Sequence, residues 1–116
     1  MAPSKSPNIR LLHIKDEIDA LLPYLSNLEQ QSFLTNYLLI RATERAVLII
    51  SEAVRALPDE LIGLQPDIDW SAIRAIGNII RHEYDRVEPM ILWNIVHFEL
   101  PQPSVAVDFL LEANTP

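Results

Sequence analysis

The six residues Arg81-His82-Glu83-Tyr84-Asp85-Arg86 hold the densest chemistry in the chain, five ionisable side chains around one tyrosine. Arg74 and Asn78 stand just upstream. A helix turns about 100° per residue, so Arg74, Asn78, Arg81 and Asp85 share one face and His82 lies beside it. These residue types suit proton transfer beside a bound anion, which needs a group that takes up and releases a proton and a cation that holds negative charge. Imidazole suits the proton transfer, because its ordinary pKa is about 6.5. Arginine offers a planar fork for phosphate oxygens. His82 with Arg81 or Arg74 supplies both. The same run also reads as an ordinary solvated helix end, which is the commoner use of such residues.

Other chemistries find less support. There is no Cys, which excludes disulfides and thiolate metal sites. His13, His82 and His97 are scattered, with no pair at ligand spacing, so no metal or other cofactor is expected. His13 and His97 read as structural residues. No Gly-rich phosphate loop is present. The net charge of −7 weighs against broad electrostatic binding of nucleic acid. It leaves room for a small basic patch, and Arg74, Arg81 and Arg86 mark the place to look.

These side chains need a rigid support, and the hydrophobic pattern supplies one. Length fits a single domain, with residues 1–8 as a disordered leader and 9–116 as one helical unit. Only two Gly in 116 residues argue against a turn-rich β fold. A first helix is expected over 9–28, capped by Asn8 and kinked or ended by Pro23. A second, about 25 residues long, runs over 33–57 with Ser32 as its cap and Pro58 as its stop. On it Arg41, Arg45 and Glu52 fall on nearly one line, and Glu44 lies inside the apolar stripe, where a charge needs a partner. Glu52 is expected to pair with Arg45 or with an Arg of the third helix. A connector follows, with at most a helical turn. Asp69 caps the third helix, whose apolar stripe is Trp70, Ile73, Ile76 and Ile80. Pro89 opens a fourth helix, stopped by Pro101 and Pro103, and Ser104 caps a fifth. The fold class is all-α, an antiparallel up-and-down bundle of four to five helices. No apolar run reaches membrane-spanning length and no secretory leader is visible, so a cytoplasmic protein without membrane contact is expected.

Three blocks together resemble HepT-type proteins of the HEPN superfamily. The first is residues 42–53, with Glu44-Arg45 early and Ser51-Glu52-Ala53 at the end. The second is Asp67-Ile68-Asp69-Trp70, similar to the family's entry into its third helix. The third is Asn78-Ile79-Ile80-Arg81-His82-Glu83-Tyr84, similar to the signature of an Arg, four to six residues, His, any residue, Tyr. The resemblance covers nearly the whole chain. It implies a helical bundle that dimerises through the signature helices. It also implies a metal-independent ribonuclease acting as the toxin of a toxin–antitoxin module. The implied partner is a small nucleotidyltransferase antitoxin, which transfers AMP to the signature Tyr. On that resemblance His82 is the general base or acid, Tyr84 the AMP acceptor, and Asn78 the polar residue following the signature Arg. Gly77 stands where the family has that Arg.

Two functions follow as alternatives. One is a toxin-like ribonuclease with Arg81 or Arg74 serving the phosphate, Glu52 and Arg45 in support, and RNA as substrate. The other is a non-catalytic binding subunit, or substrate, of the nucleotidyltransferase, which Gly77 favours. A homodimer with His82 of each copy in a shared cleft is expected, and Gly77→Arg is expected to preserve or raise cleavage.

Overall fold

The computed structural model describes residues 6–83 and 87–113. Seven α-helices are found among them, and no strand. They are α1 (Pro7–Ser26), α2 (Gln30–Leu34), α3 (Tyr37–Arg55), α4 (Asp59–Ile62), α5 (Trp70–His82), α6 (Pro89–Asn94) and α7 (Pro101–Ala113). A π-helical turn, Ile95–Glu99, continues α6 towards α7. The protein is an all-α bundle, as its composition and periodicity require.

Helix α3 is the central element, with α1 packed on one side and α5 on another, and α7 covering α1. The neighbours run antiparallel. Arg10 and His13, early in α1, lie beside Glu52 and Ala53, late in α3. Arg74 reaches Asp59, just past the end of α3, while Arg81 in the last turn of α5 lies at Glu52. Lys15 of α1 bonds Asp108 of α7, whereas Leu22 and Pro23 face Pro101. The long helices α1 and α5 both pack on α3, and burial of their apolar stripes closes the bundle. Leu11, Ile14, Phe33, Ile50, Val54, Leu92 and Leu110 are fully buried. Each contributes about 1.5–3 kcal/mol by leaving water.

Several boundaries differ from the sequence expectation. Ser6, rather than Asn8, caps α1: its Oγ accepts from the Ile9 amide at 3.3 Å, and Pro7 takes the first helical position. That position has no intrahelical acceptor for an N–H, so proline is tolerated there. Residues 7 and 8 of the expected leader therefore belong to α1, and residues 1–5 lie outside the described residues. Pro23 does not end α1, which runs on to Ser26. Its carbonyl accepts from the Ser26 hydroxyl and the Asn27 side-chain amide, which close the final turn. The expected 25-residue second helix is two helices. The Thr35 hydroxyl donates to the Gln31 carbonyl, and Asn36 Oδ1 accepts from the Leu39 amide at 3.0 Å. Asn36 outcompetes Ser32, which lies inside α2, as the cap.

Asp69 caps α5 as expected, accepting from the Ala72 amide at 3.0 Å. Pro89 opens α6. Pro101 does not simply stop that helix. It begins α7, and Ser104 lies inside it. Proline at 101 has no N–H for the ladder and crowds the carbonyl four residues back. The chain meets this with a wider turn, in which the Leu100 amide donates to the Ile95 carbonyl at 3.1 Å. Among the described residues no helix is long and apolar enough to cross a membrane.

Candidate phosphate-handling site

The site begins with how α5 sits on α3. The buried face of α5 is Trp70, Ile73, Gly77 and Ile80. Gly77 joins the expected stripe, and Ile76 is half-buried, packed against the core and lining an apolar groove with Ile79 and Ile91. At Gly77 the two helices touch. Its amide donates to Ser51 Oγ at 3.0 Å, and that hydroxyl donates to the Arg74 carbonyl at 3.2 Å. A Cβ at position 77 would sit 2.2 Å from Ser51 Oγ and 2.9 Å from Ser51 Cβ. Glycine permits this approach because it has no side chain to displace. An Arg at position 77 would point into α3 and not into a groove, which removes the reason for expecting Gly77→Arg to build a phosphate clamp.

With Gly77 against α3, Asn78 and Arg81 fall along the seam between the helices. Asn78 Oδ1 accepts from Arg81 Nη2 at 2.6 Å and from Arg55 Nη1 at 3.0 Å. On its other side Arg81 lies over Glu52, with Nε 3.0 Å from Oε1. This second contact is an ion pair without an aligned N–H, since Glu52 Oε1 has no hydrogen-bond partner. The Arg81 guanidinium is thus held by an amide and a carboxylate while more than a third of its side chain meets solvent. His82 is exposed and is the last residue of α5. Its Cα is about 3.8 Å from that of Arg81 along the chain.

The other residues singled out in the sequence divide. Glu52 has its partner on the third long helix. Arg45, exposed on α3, lines a groove of about 210 Å³ with Glu52, Arg81, Arg10 and His13. Arg74 is not brought to His82. It turns towards the opposite end of α5, where Nη2 is 3.7 Å from Asp59 Oδ1. Buried Glu44 finds its partner in Arg41, one turn back on α3. Tyr84 and Asp85 lie outside the described residues. His97 stacks on Trp93 with ring centres 3.8 Å apart, and its Nδ1 lies 2.9 Å from the Trp93 carbonyl. Among the described residues no group of three or more His, Asp or Glu could hold a metal ion.

Sequence reasoning missed Arg55. Arg55 follows Glu52 by three residues, so it lies on the same side of α3. That spacing was the available signal. The place of His13 beside Glu52 had none, because it depends on α1 docking against α3.

The fold is an antiparallel helical bundle, with an Arg, an Asn and a carboxylate gathered near an exposed His at the end of α5. The family described as Ribonuclease HepT-like matches residues 14–108. Putative RNase TTE0752 of Caldanaerobacter subterraneus subsp. tengcongensis is 30% identical over 108 residues, 93% of this chain and 96% of that protein. Putative RNase MJ1380 of Methanocaldococcus jannaschii is 24% identical over 86% of this chain and 92% of its own length. Probable ribonuclease HepT of Thermococcus cleftensis is 31% identical over 67 residues, 58% of this chain and 57% of that one. No solved structure matches. The chain belongs to the HepT-like ribonuclease family.

Proposed function

We propose that this protein is a metal-independent endoribonuclease and the toxin of a toxin–antitoxin module. Its antitoxin is a small nucleotidyltransferase that neutralises it by binding or by AMP transfer to Tyr84. The observation that carries the catalytic half is the placement of Arg81. Glu52 and Asn78 restrain its guanidinium beside the exposed His82. A restrained cation one residue from an exposed imidazole supplies the two groups that phosphodiester cleavage needs. His82 takes the proton from the ribose 2′-OH, the oxygen attacks phosphorus, and Arg81 stabilises the phosphorane. The products are a 2′,3′-cyclic phosphate and a 5′-OH, whose proton comes from a general acid, His82 of the second copy or water.

A homodimer accompanies this reading. Ile79, three residues before His82, and Ile91 are 43% and 47% exposed on the groove formed by α5 and α6. Covering that strip with the same strip of a second copy would bring two His82 towards one cleft. AMP on Tyr84, two residues from His82, would add negative charge beside Arg81 and oppose an incoming RNA phosphate.

The deciding experiment is incubation of purified, AMP-free protein with single-stranded RNA. Cleavage in the presence of chelator, lost in His82→Ala and Arg81→Ala, is expected. A second reading, a non-catalytic substrate of the nucleotidyltransferase, is favoured by one observation. Position 77 has no room for the family's Arg. Absence of cleavage in the unmodified protein, with AMP transfer to Tyr84 intact, would select it.

A further inference from the structure

Where α1 meets α3 and α5 lies a groove whose lining includes Arg81 but not His82. Its charged and polar lining is Arg10, His13, Arg45, Glu52 and Arg81. The chain has sixteen acidic and nine basic side chains, yet here three of the nine gather around one carboxylate. That carboxylate is already engaged by Arg81. Among the described residues Arg10 and Arg45 have no ion-pair partner for their side chains. Arg10 Nε is buried and makes no hydrogen bond. Arg10 is half-buried and Arg45 exposed, so water reaches part of the set, but the buried Nε has no acceptor and like charges around one cavity repel.

From this we infer that the α1–α3–α5 groove is a binding site for a phosphate-class anion. Arg10 and Arg45 are its main cations, His13 a further donor, and Arg81 its link to the His82 face. A tetrahedral oxyanion matches the set, because it offers several acceptors to guanidinium groups that line one groove from three helices. A volume of about 210 Å³ admits a phosphate with its water. The site itself does not depend on ribonuclease activity. Assigning its anion to the RNA backbone does, and would give the strand a second anchor one phosphate or more from the bond at His82. Arg10, Arg45 and His13 then position substrate without touching the reacting atoms.

Two measurements on the full chain separate the sources. The first follows the His13 ring signals by NMR as sodium phosphate replaces sodium chloride at constant ionic strength. A saturable shift in the wild type, absent in Arg45→Glu, is expected. The second measures binding of fluorescent single-stranded RNA by anisotropy across salt concentrations. Each lost phosphate contact should shallow the slope of log K against log salt by about 0.7, so Arg45→Ala and Arg10→Gln should each show that change. Melting curves verify that the variants are folded, and the wild-type titration needs no variant. Response to both probes, or to RNA alone, assigns the groove to the RNA backbone. Response to phosphate alone assigns it to a free phosphate and counts against RNA as the ligand. If phosphate moves His13 no more than chloride does, and the RNA is unbound or its salt slope unchanged in both variants, the inference is overturned. Cleavage that persists with an unchanged slope would leave the ribonuclease reading standing without this groove.

Discussion

Gly77 and Ser51 are in direct contact across the α3–α5 seam, the Gly77 amide donating to Ser51 Oγ at 3.0 Å. Gly77→Ala gains helix propensity of about 1 kcal/mol but drives a methyl into Ser51. Overpacking costs about 1–3 kcal/mol, so a net loss is expected, and Gly77→Arg should lose more. Urea denaturation measures both. Ser51→Gly should partly restore Gly77→Ala, giving a favourable coupling in a double-mutant cycle. A Gly77→Arg protein as stable as wild type and more active would contradict the seam described here.

His82 and Arg81 should separate chemistry from stability. His82 is exposed, so His82→Ala should leave the melting temperature within a degree or two while cutting cleavage by about 100- to 10,000-fold. Arg81→Ala should lose cleavage to a comparable extent. It also frees Glu52 and Asn78 of a partner, so a small loss of stability should accompany it. Single-turnover assays with melting curves test both.

Glu52→Gln should act through Arg81. The pair is partly exposed, and such pairs contribute less than about 1 kcal/mol to stability. Loosening the guanidinium should nonetheless lower cleavage about tenfold, because misplacement costs rate more than it costs folding. Equal activity in Glu52→Gln and wild type would remove Glu52 from any positioning role.

Arg74→Ala is the contrasting case. Arg74 was grouped with His82 from helical spacing, but its side chain turns to Asp59. Cleavage should therefore stay within about twofold of wild type, with at most a slight change in stability. A large loss of activity with stability intact would return Arg74 to the site.

Ile79→Asp and Ile91→Asp test assembly. Each puts a carboxylate on the exposed apolar strip of α5 and α6 without entering the core. Sedimentation at micromolar concentration should show a dimer for wild type and a monomer for the variants, with cleavage falling in parallel. A wild-type monomer that cleaves RNA would rule out the shared cleft.

The sequence alone determined the helical class, the start of α5 at Asp69 and the gathering of Asn78, Arg81 and His82 near its end. Each is local: a stripe repeats every three or four residues, a carboxylate reaches an amide three residues on, and neighbours in sequence stay neighbours in space. It also showed that Glu44 and Glu52 need partners, because a charge on or beside an apolar stripe cannot go unpaired. Tertiary structure decided the rest. Whether Ser32 or Asn36 begins the long helix is a contest between caps of similar strength, settled by how α2 and α3 pack. Periodicity could not tell Ile76 from Gly77 as the inward residue, since both lie within the arc that faces a neighbour. The close approach at Ser51 chose Gly77 and left Ile76 half-buried at the edge of the core. Arg74 and Arg81 look equivalent on a helical wheel, two turns apart on one face. They differ because antiparallel packing sets Asp59 beside one and Glu52 beside the other. Arg10 and His13 stand far from Arg81 in sequence, and only the docking of α1 on α3 brings them to one groove.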